Sequence, residues 1–194
     1  MSIRLLIRTS ERVRVVSPWD PALDAETKRR LLADDIDCLN GRTIDGATWF
    51  EVRGLSAGEI RRLRPLLPAP PDNVRAWLAA VNAAKDGTDV PSDERLDRDF
   101  AAWQAEVGFV YLRAALMSAD IEGWPTASDN YLGLALLPEW AVDGLPHDTG
   151  RWLGSLAYRL SMLAPEKKRP FGSPLAEPSG TTADATKSTG AASG

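Results

Sequence analysis

The side chains best suited to chemistry are one thiol, one imidazole, two groups of carboxylates, three clustered arginines and a large set of indoles. Cys38 is the only cysteine and His147 the only histidine. Tetrahedral zinc takes about four such ligands, so this far-separated pair falls short of a zinc site. A Cys/His nucleophile would also need a helix terminus or a cation to lower the thiol pKa, and no such arrangement is written around Cys38. Between Pro146 and Asp148, His147 reads as a solvated or capping residue. Cys38 reads as a small, partly buried apolar one. Carboxylates gather at Asp34, Asp35 and Asp37, and again at Asp93, Glu94, Asp97 and Asp99. Such groups can run acid/base chemistry or hold a divalent cation. The second group, however, lies in the first turn of an expected helix, where negative charge compensates the helix dipole. There is no phosphate-cradling P-loop, dinucleotide fingerprint or nucleophile elbow. The expectation is a protein that is not an enzyme and uses no cofactor or metal. A small metal-dependent enzyme built on the acidic clusters is the minor alternative.

Arg61, Arg62 and Arg64 share one polar side of an expected helix and read as a solvated face. A net charge of -4 and a pI near 5.1 leave no broad positive field for a phosphate backbone, so nucleic acid is not an expected partner. The seven tryptophans are the one compositional hint of binding, because indoles concentrate at interface hot spots. Trp77, Trp103 and Trp152 fall on apolar helical stripes, whereas Trp19, Trp124 and Trp140 fall in expected loops. The candidate protein-binding residues are Trp77, Trp124, Trp140, Trp152 and Phe171.

The elements that must position these residues follow from periodicity and punctuation. Ile3 to Ile7 and Val13 to Val16, parted by polar turn formers, read as a hairpin. Asp24 can cap a helix running to about Asp35, with Leu31, Leu32 and Ile36 on its buried side. Thr48 to Val52 reads as a further strand. Ser56 and Glu59 form a capping box for a short helix that stops near Pro65. After a stiff proline connector, Asp72 can cap a helix carrying Val74, Trp77, Leu78 and Val81, closed by Gly87. Pro91 and Ser92 open the longest expected helix, whose stripe runs through Leu96, Phe100, Trp103, Val107, Val110, Ala114 and Met117 to an end near Gly123. Thr126 can cap another helix carrying Tyr131, Leu132, Leu134 and Ala135 toward Pro138. A loop with Trp140, Gly144 and Pro146 then leads to a last helix, begun by Asp148 or Thr149, with Trp152, Leu153, Leu156, Leu160 and Leu163 as its stripe.

The expected class is therefore α+β and mainly α-helical. An N-terminal β-hairpin plus one further strand precedes a bundle of about five helices, all in one domain over residues 1–169. Residues 170–194 shift to Gly, Ser, Thr, Ala and Pro and are expected to be a disordered tail, since they cannot bury enough surface to offset ordering entropy. No run approaches the roughly 20 apolar residues that span a bilayer, and the apolar run Leu5-Leu6-Ile7 is too short for a signal peptide. Cytoplasm is the default location, with no membrane partner.

The order of elements resembles the tail assembly chaperone family of long-tailed bacteriophages. The resemblance covers residues 13–169. It is carried by the strand-to-helix join Thr48-Trp49-Phe50-Glu51-Val52-Arg53-Gly54-Leu55-Ser56-Ala57-Gly58-Glu59 and by the long helix running through Phe109-Val110-Tyr111-Leu112-Arg113 into Ile121-Glu122-Gly123-Trp124. Leu136-Leu137-Pro138 and the closing helix from Trp152-Leu153 to Leu160-Ser161 complete it. The connector at Pro68 to Pro71 and the helix after it depart from the pattern as additions. The resemblance implies a chaperone that binds and solubilises the tape measure protein in the host bacterial cytoplasm and helps it meet tail tube protein, with self-association left open. It carries over no catalytic residue. It is also compatible with a longer frameshifted form near Lys167-Lys168, and its structural alternative is a virion protein of the tail or neck.

Overall fold

A computed structural model describes residues 12–84, 90–127 and 129–163. The chain is α+β and mainly helical, with six α-helices among the described residues and a small antiparallel three-stranded sheet near the N-terminus. Strand β1 (Arg12–Val16) pairs antiparallel with β2 (Trp49–Arg53), setting Val15 opposite Phe50 and Val13 opposite Val52. The expected first hairpin strand, Ile3 to Ile7, lies outside the described residues, as do Gly87, Phe171 and the tail from 170 onward.

Between β1 and β2 lies helix α1 (Ala25–Leu32), started by Asp24, whose Oδ1 accepts from the Thr27 amide at 2.7 Å. The helix stops short of the expected Asp35, because Asp34 turns into the left-handed region at φ 63° and a 3-10 turn, Ile36–Leu39, follows. That break buries Leu31 and Ile36 but leaves Leu32 exposed, contrary to the expected stripe. Asp20 fixes the entry to β2. Its two carboxylate oxygens accept from the amides of Ala22 and Thr48 at 2.9 and 2.8 Å.

Helix α2 (Ala57–Leu63) carries the expected capping box: the Ser56 amide donates to Glu59 Oε2 at 2.8 Å, and the Glu59 amide donates to Ser56 Oγ at 3.3 Å. Arg53 adds a two-pronged ion pair to the same carboxylate at 2.8 and 3.1 Å. Helix α3 (Asp72–Ala83) follows the proline connector. Pro71 occupies its cap position and Asp72 its first turn, so Asp72 is not the cap the sequence suggests. Val74 is buried, Trp77 and Leu78 are half-buried, and Val81 is exposed.

The long helix α4 (Glu94–Ala115) is capped by Asp93, which accepts from the Leu96 amide at 2.7 Å. Its C-terminal half is the buried part, through Val107, Gly108, Tyr111, Leu112, Ala114 and Ala115. Leu96, Phe100, Trp103 and Val110 are only half-buried. The helix does not continue toward Gly123. At Leu116 the chain enters strand β3 (Leu116–Ala119), which pairs with the second edge of β2 and leaves Met117 exposed. The open edge of β2 supplies hydrogen-bond partners that outweigh the helical tendency of a Leu-Met-Ser-Ala run.

The expected helix after Thr126 is instead a hairpin of β4 (Asp129–Tyr131) and β5 (Leu134–Leu136). Leu134 and Leu136 are buried and Ala135 is exposed, a period of two that the four-residue spacing of Tyr131 and Ala135 obscures. Segment 139–143, expected as loop, forms the short helix α5 (Glu139–Asp143), which buries Ala141 and Val142. Helix α6 (His147–Leu163) begins one residue before the earlier of the two expected starts and buries Trp152, Leu153, Leu156 and Leu160 as its stripe requires.

One apolar cluster joins these parts, from Val15, Phe50 and Val52 of the sheet through Leu112 and Leu116 to Leu153, Leu156 and Leu160 of α6. Helices α4 and α6 approach so closely that a Cβ on Gly154 would stand 2.8 Å from the Gly108 carbonyl carbon. Buried hydroxyls tie α6 to the N-terminal half. Ser161 Oγ accepts from the Leu55 amide at 3.0 Å and donates to the Ala157 carbonyl at 2.7 Å, and Ser17 and Thr149 share a bond of 2.8 Å.

Candidate protein-interaction surface

Most of the clustered carboxylates have structural partners. Asp34 pairs with Arg159 and Asp35 with Arg30, Asp37 accepts from Asn40 at 3.2 Å, Asp93 caps α4, and Asp99 accepts from Asn73 at 2.7 Å. Among the described residues no three His, Cys, Asp or Glu side chains gather as a metal-holding group. Cys38 is buried, which pushes its thiol pKa up, away from a reactive thiolate, against a smaller opposing pull from Arg30. His147 is largely exposed and lies 3.5 Å from Asp148. No hydrogen bond or ion pair among the described residues joins it to Cys38.

The indoles divide sharply. Trp152 belongs to the core at 8% exposure, so a partner cannot reach it without opening the fold; the amphipathic stripe that suggested it is a packing stripe. Trp77 is half-buried edge-on to Phe100, at 5.4 Å between centroids, with Nε1 donating to the Val90 carbonyl at 3.5 Å. Trp124 is half-buried against the core cluster. Trp140 is the most exposed, at 63%, followed by Trp19 at 47%. Its short helix rests on a fixed base, because Arg113 clamps the preceding segment to α4. The Arg113 carbonyl accepts from the Leu137 amide at 2.8 Å, while its guanidinium reaches the Leu137 carbonyl at 2.8 Å and Glu139 at 2.7 Å. Phe171 lies outside the described residues.

The sequence reading missed Leu132, at the tip of the β4–β5 hairpin. This leucine is 61% exposed and adopts φ 49°, followed by Gly133 at φ 78°. Two successive left-handed residues are what a two-residue hairpin turn requires, and Asn-Gly is the pair that suits it. A leucine there meets a steric penalty and bares its side chain to water as well. Arg62 anchors the tip, with Nη1 donating to the carbonyls of Leu132 and Gly133 at 3.3 and 3.2 Å. Arg61, Arg62 and Arg64 are all exposed, and none pairs with a carboxylate among the described residues. The only available sequence cue was the Leu-Gly step between Tyr131 and Leu134, which lacks the asparagine or aspartate that usually announces such a turn.

The surface therefore offers fixed apolar side chains, Trp140 and Leu132, on short well-anchored elements, with an unpaired basic group beside the second. It can grip another polypeptide through apolar contact and attract carboxylates around the Leu132 tip. Among the described residues no helix is long and apolar enough to cross a membrane. No protein-family model, curated protein or solved structure matches this chain.

Proposed function

We propose that this chain is a bacteriophage tail assembly chaperone, which holds the tape measure protein soluble in the host cytoplasm until tail tube protein displaces it. The carrying observation is the exposure of large apolar side chains apart from the core, Trp140 at 63% and Leu132 at 61%. A holding chaperone needs apolar contacts strong enough to cover sticky client segments and few enough to be released by competition. Two exposed anchors on well-held elements, the second with Arg62 against it, fit that requirement. The strand-to-helix join from Thr48 to Glu59 and the closing helix support the same reading, whereas the long helix ends at Ala115 and does not run on to Trp124 as the resemblance expects.

The test is coexpression with a tape measure protein from a long-tailed phage. The client is expected to become soluble and to copurify with the chaperone. The double variant Trp140→Ala, Leu132→Asn is expected to lose the complex while keeping its own fold. A wild-type chain that leaves the client insoluble and uncomplexed overturns the proposal. The competing role, a structural protein of the phage tail or neck, predicts that the chain stays in finished particles. Mass spectrometry of purified virions separates the two, since a chaperone departs before completion.

A further inference from the structure

A cleft of about 200 Å³ opens between α4 and α6 beside their Gly108 and Gly154 contact. The closeness of the helices there is set by the two glycines, and two of the α4 positions that line the cleft, Ala101 and Ala105, carry only methyl groups. Its apolar walls are Trp103, Val107 and Tyr158. Both rings are held in place. Trp103 Nε1 donates to the Pro68 carbonyl at 2.9 Å, and Tyr158 stands edge-on to Tyr111 with centroids 5.1 Å apart. The polar lining consists of Arg151, Gln104 and Ser155, all exposed, and none of the three side chains makes an ion pair or a hydrogen bond among the described residues. Asp148, three residues before Arg151, lies 3.5 Å from His147 Nδ1. Arg151 is the one charged group in the lining.

We propose that this cleft binds a monocarboxylate carrying a small apolar body. The carboxylate meets the guanidinium of Arg151, with the Ser155 hydroxyl and the Gln104 amide as further donors, and the apolar body lies between the Trp103 and Tyr158 rings over Val107. A cleft with two ring walls and one exposed cation in its lining selects that combination. An uncharged apolar molecule leaves the cation without a counter-charge, and a hydrophilic anion gains nothing from the rings. The space suits a body the size of one side chain, so the ligand is either a free small acid or the C-terminal residue of a polypeptide. The inference stands apart from the chaperone reading and survives its failure.

The test is titration of the full chain with 3-phenylpropionate and with an acetylated tripeptide ending in leucine, each beside its amide, followed by NMR of the Trp103 indole N–H. Saturable shifts are expected with a dissociation constant on the order of 0.1–1 mM, as befits a ligand of this size. Loss of the charge should weaken binding at least about tenfold. Arg151→Met should abolish the difference between acid and amide, and Ala105→Leu, which fills the cleft, should abolish binding of both. Ala101→Leu serves the same purpose should Ala105→Leu fold poorly. Binding of the free acid alone identifies a small-molecule site, and binding of the peptide alone identifies a site for chain termini. Absence of saturable shifts for both at about 10 mM, equal affinity for acid and amide, or retained binding in the filled variants overturns the proposal.

Discussion

At the scale of single residues, the most strongly perturbed group is Glu59. Burial pushes its pKa up, but the hydrogen bonds from Arg53 and from the amide and hydroxyl of Ser56, with the Arg53 charge, outweigh that and hold it at about 2. A carboxylate depressed in the folded state stabilises the protein above its ordinary value of 4.5 and loses that contribution as pH falls toward 2. Glu59→Gln is therefore expected to cost about 1–2 kcal/mol at pH 7, a figure reduced for solvent screening, and to flatten the acid limb of a stability curve measured by urea unfolding between those values. The pair Ser56 and Glu59 was readable beforehand because a capping box is complete within four residues. Trp140 and Trp152 were not separable in the same way. Indoles suit cores and interfaces equally, and only the packing of α6 against the sheet and α4 decides which is which.

Among the elements, the ones read correctly are those whose signal is local. The stripe of α6 and the caps Asp24 and Ser56 needed no partner to be seen. Strand β3 and the β4–β5 hairpin needed one. Leu116-Met117-Ser118-Ala119 contains no β-branched residue, and it is a strand because β2 presents a free edge to it. The hairpin turn holds leucine where asparagine relieves strain. Leu132→Asn is accordingly expected to raise stability by about 0.5–1 kcal/mol, seen as a higher melting temperature, even as it weakens client binding. The crossing of α4 and α6 gives the opposite expectation. In Gly154→Ala the new Cβ meets Gly108 backbone at 2.8 and 2.9 Å, contacts that no side-chain rotation relieves. A loss of about 2–3 kcal/mol follows despite the better helix propensity of alanine. Gly58→Ala is the control: its Cβ meets only Ser56 Oγ, at 4.0 Å, so a gain of about 0.5–1 kcal/mol is expected on the exposed face of α2.

For the whole molecule, the continuous apolar cluster from Val15 to Leu160 argues for one cooperative unit. Tryptophan fluorescence and far-ultraviolet circular dichroism should report coincident urea transitions with a common midpoint; separated midpoints would show that the sheet and the helices melt independently. The class, mainly helical with a small N-terminal sheet, was within reach of the sequence because helical periodicity dominates its length. Sheet membership was not, since β3 joins β2 from more than sixty residues away, a pairing that no local pattern encodes.

The position of α6 as the last described element has a consequence for how the chain is made. Its side chains roof the apolar seats supplied by β2 and α4, and Ser161 completes the backbone bonding of Leu55. Any polypeptide released before residue 147 therefore lacks the helix that covers the apolar faces of β2 and α4. Premature termination products are expected to clump or be degraded rather than persist as working fragments, and supplying α6 as a separate peptide is the natural way to rescue them.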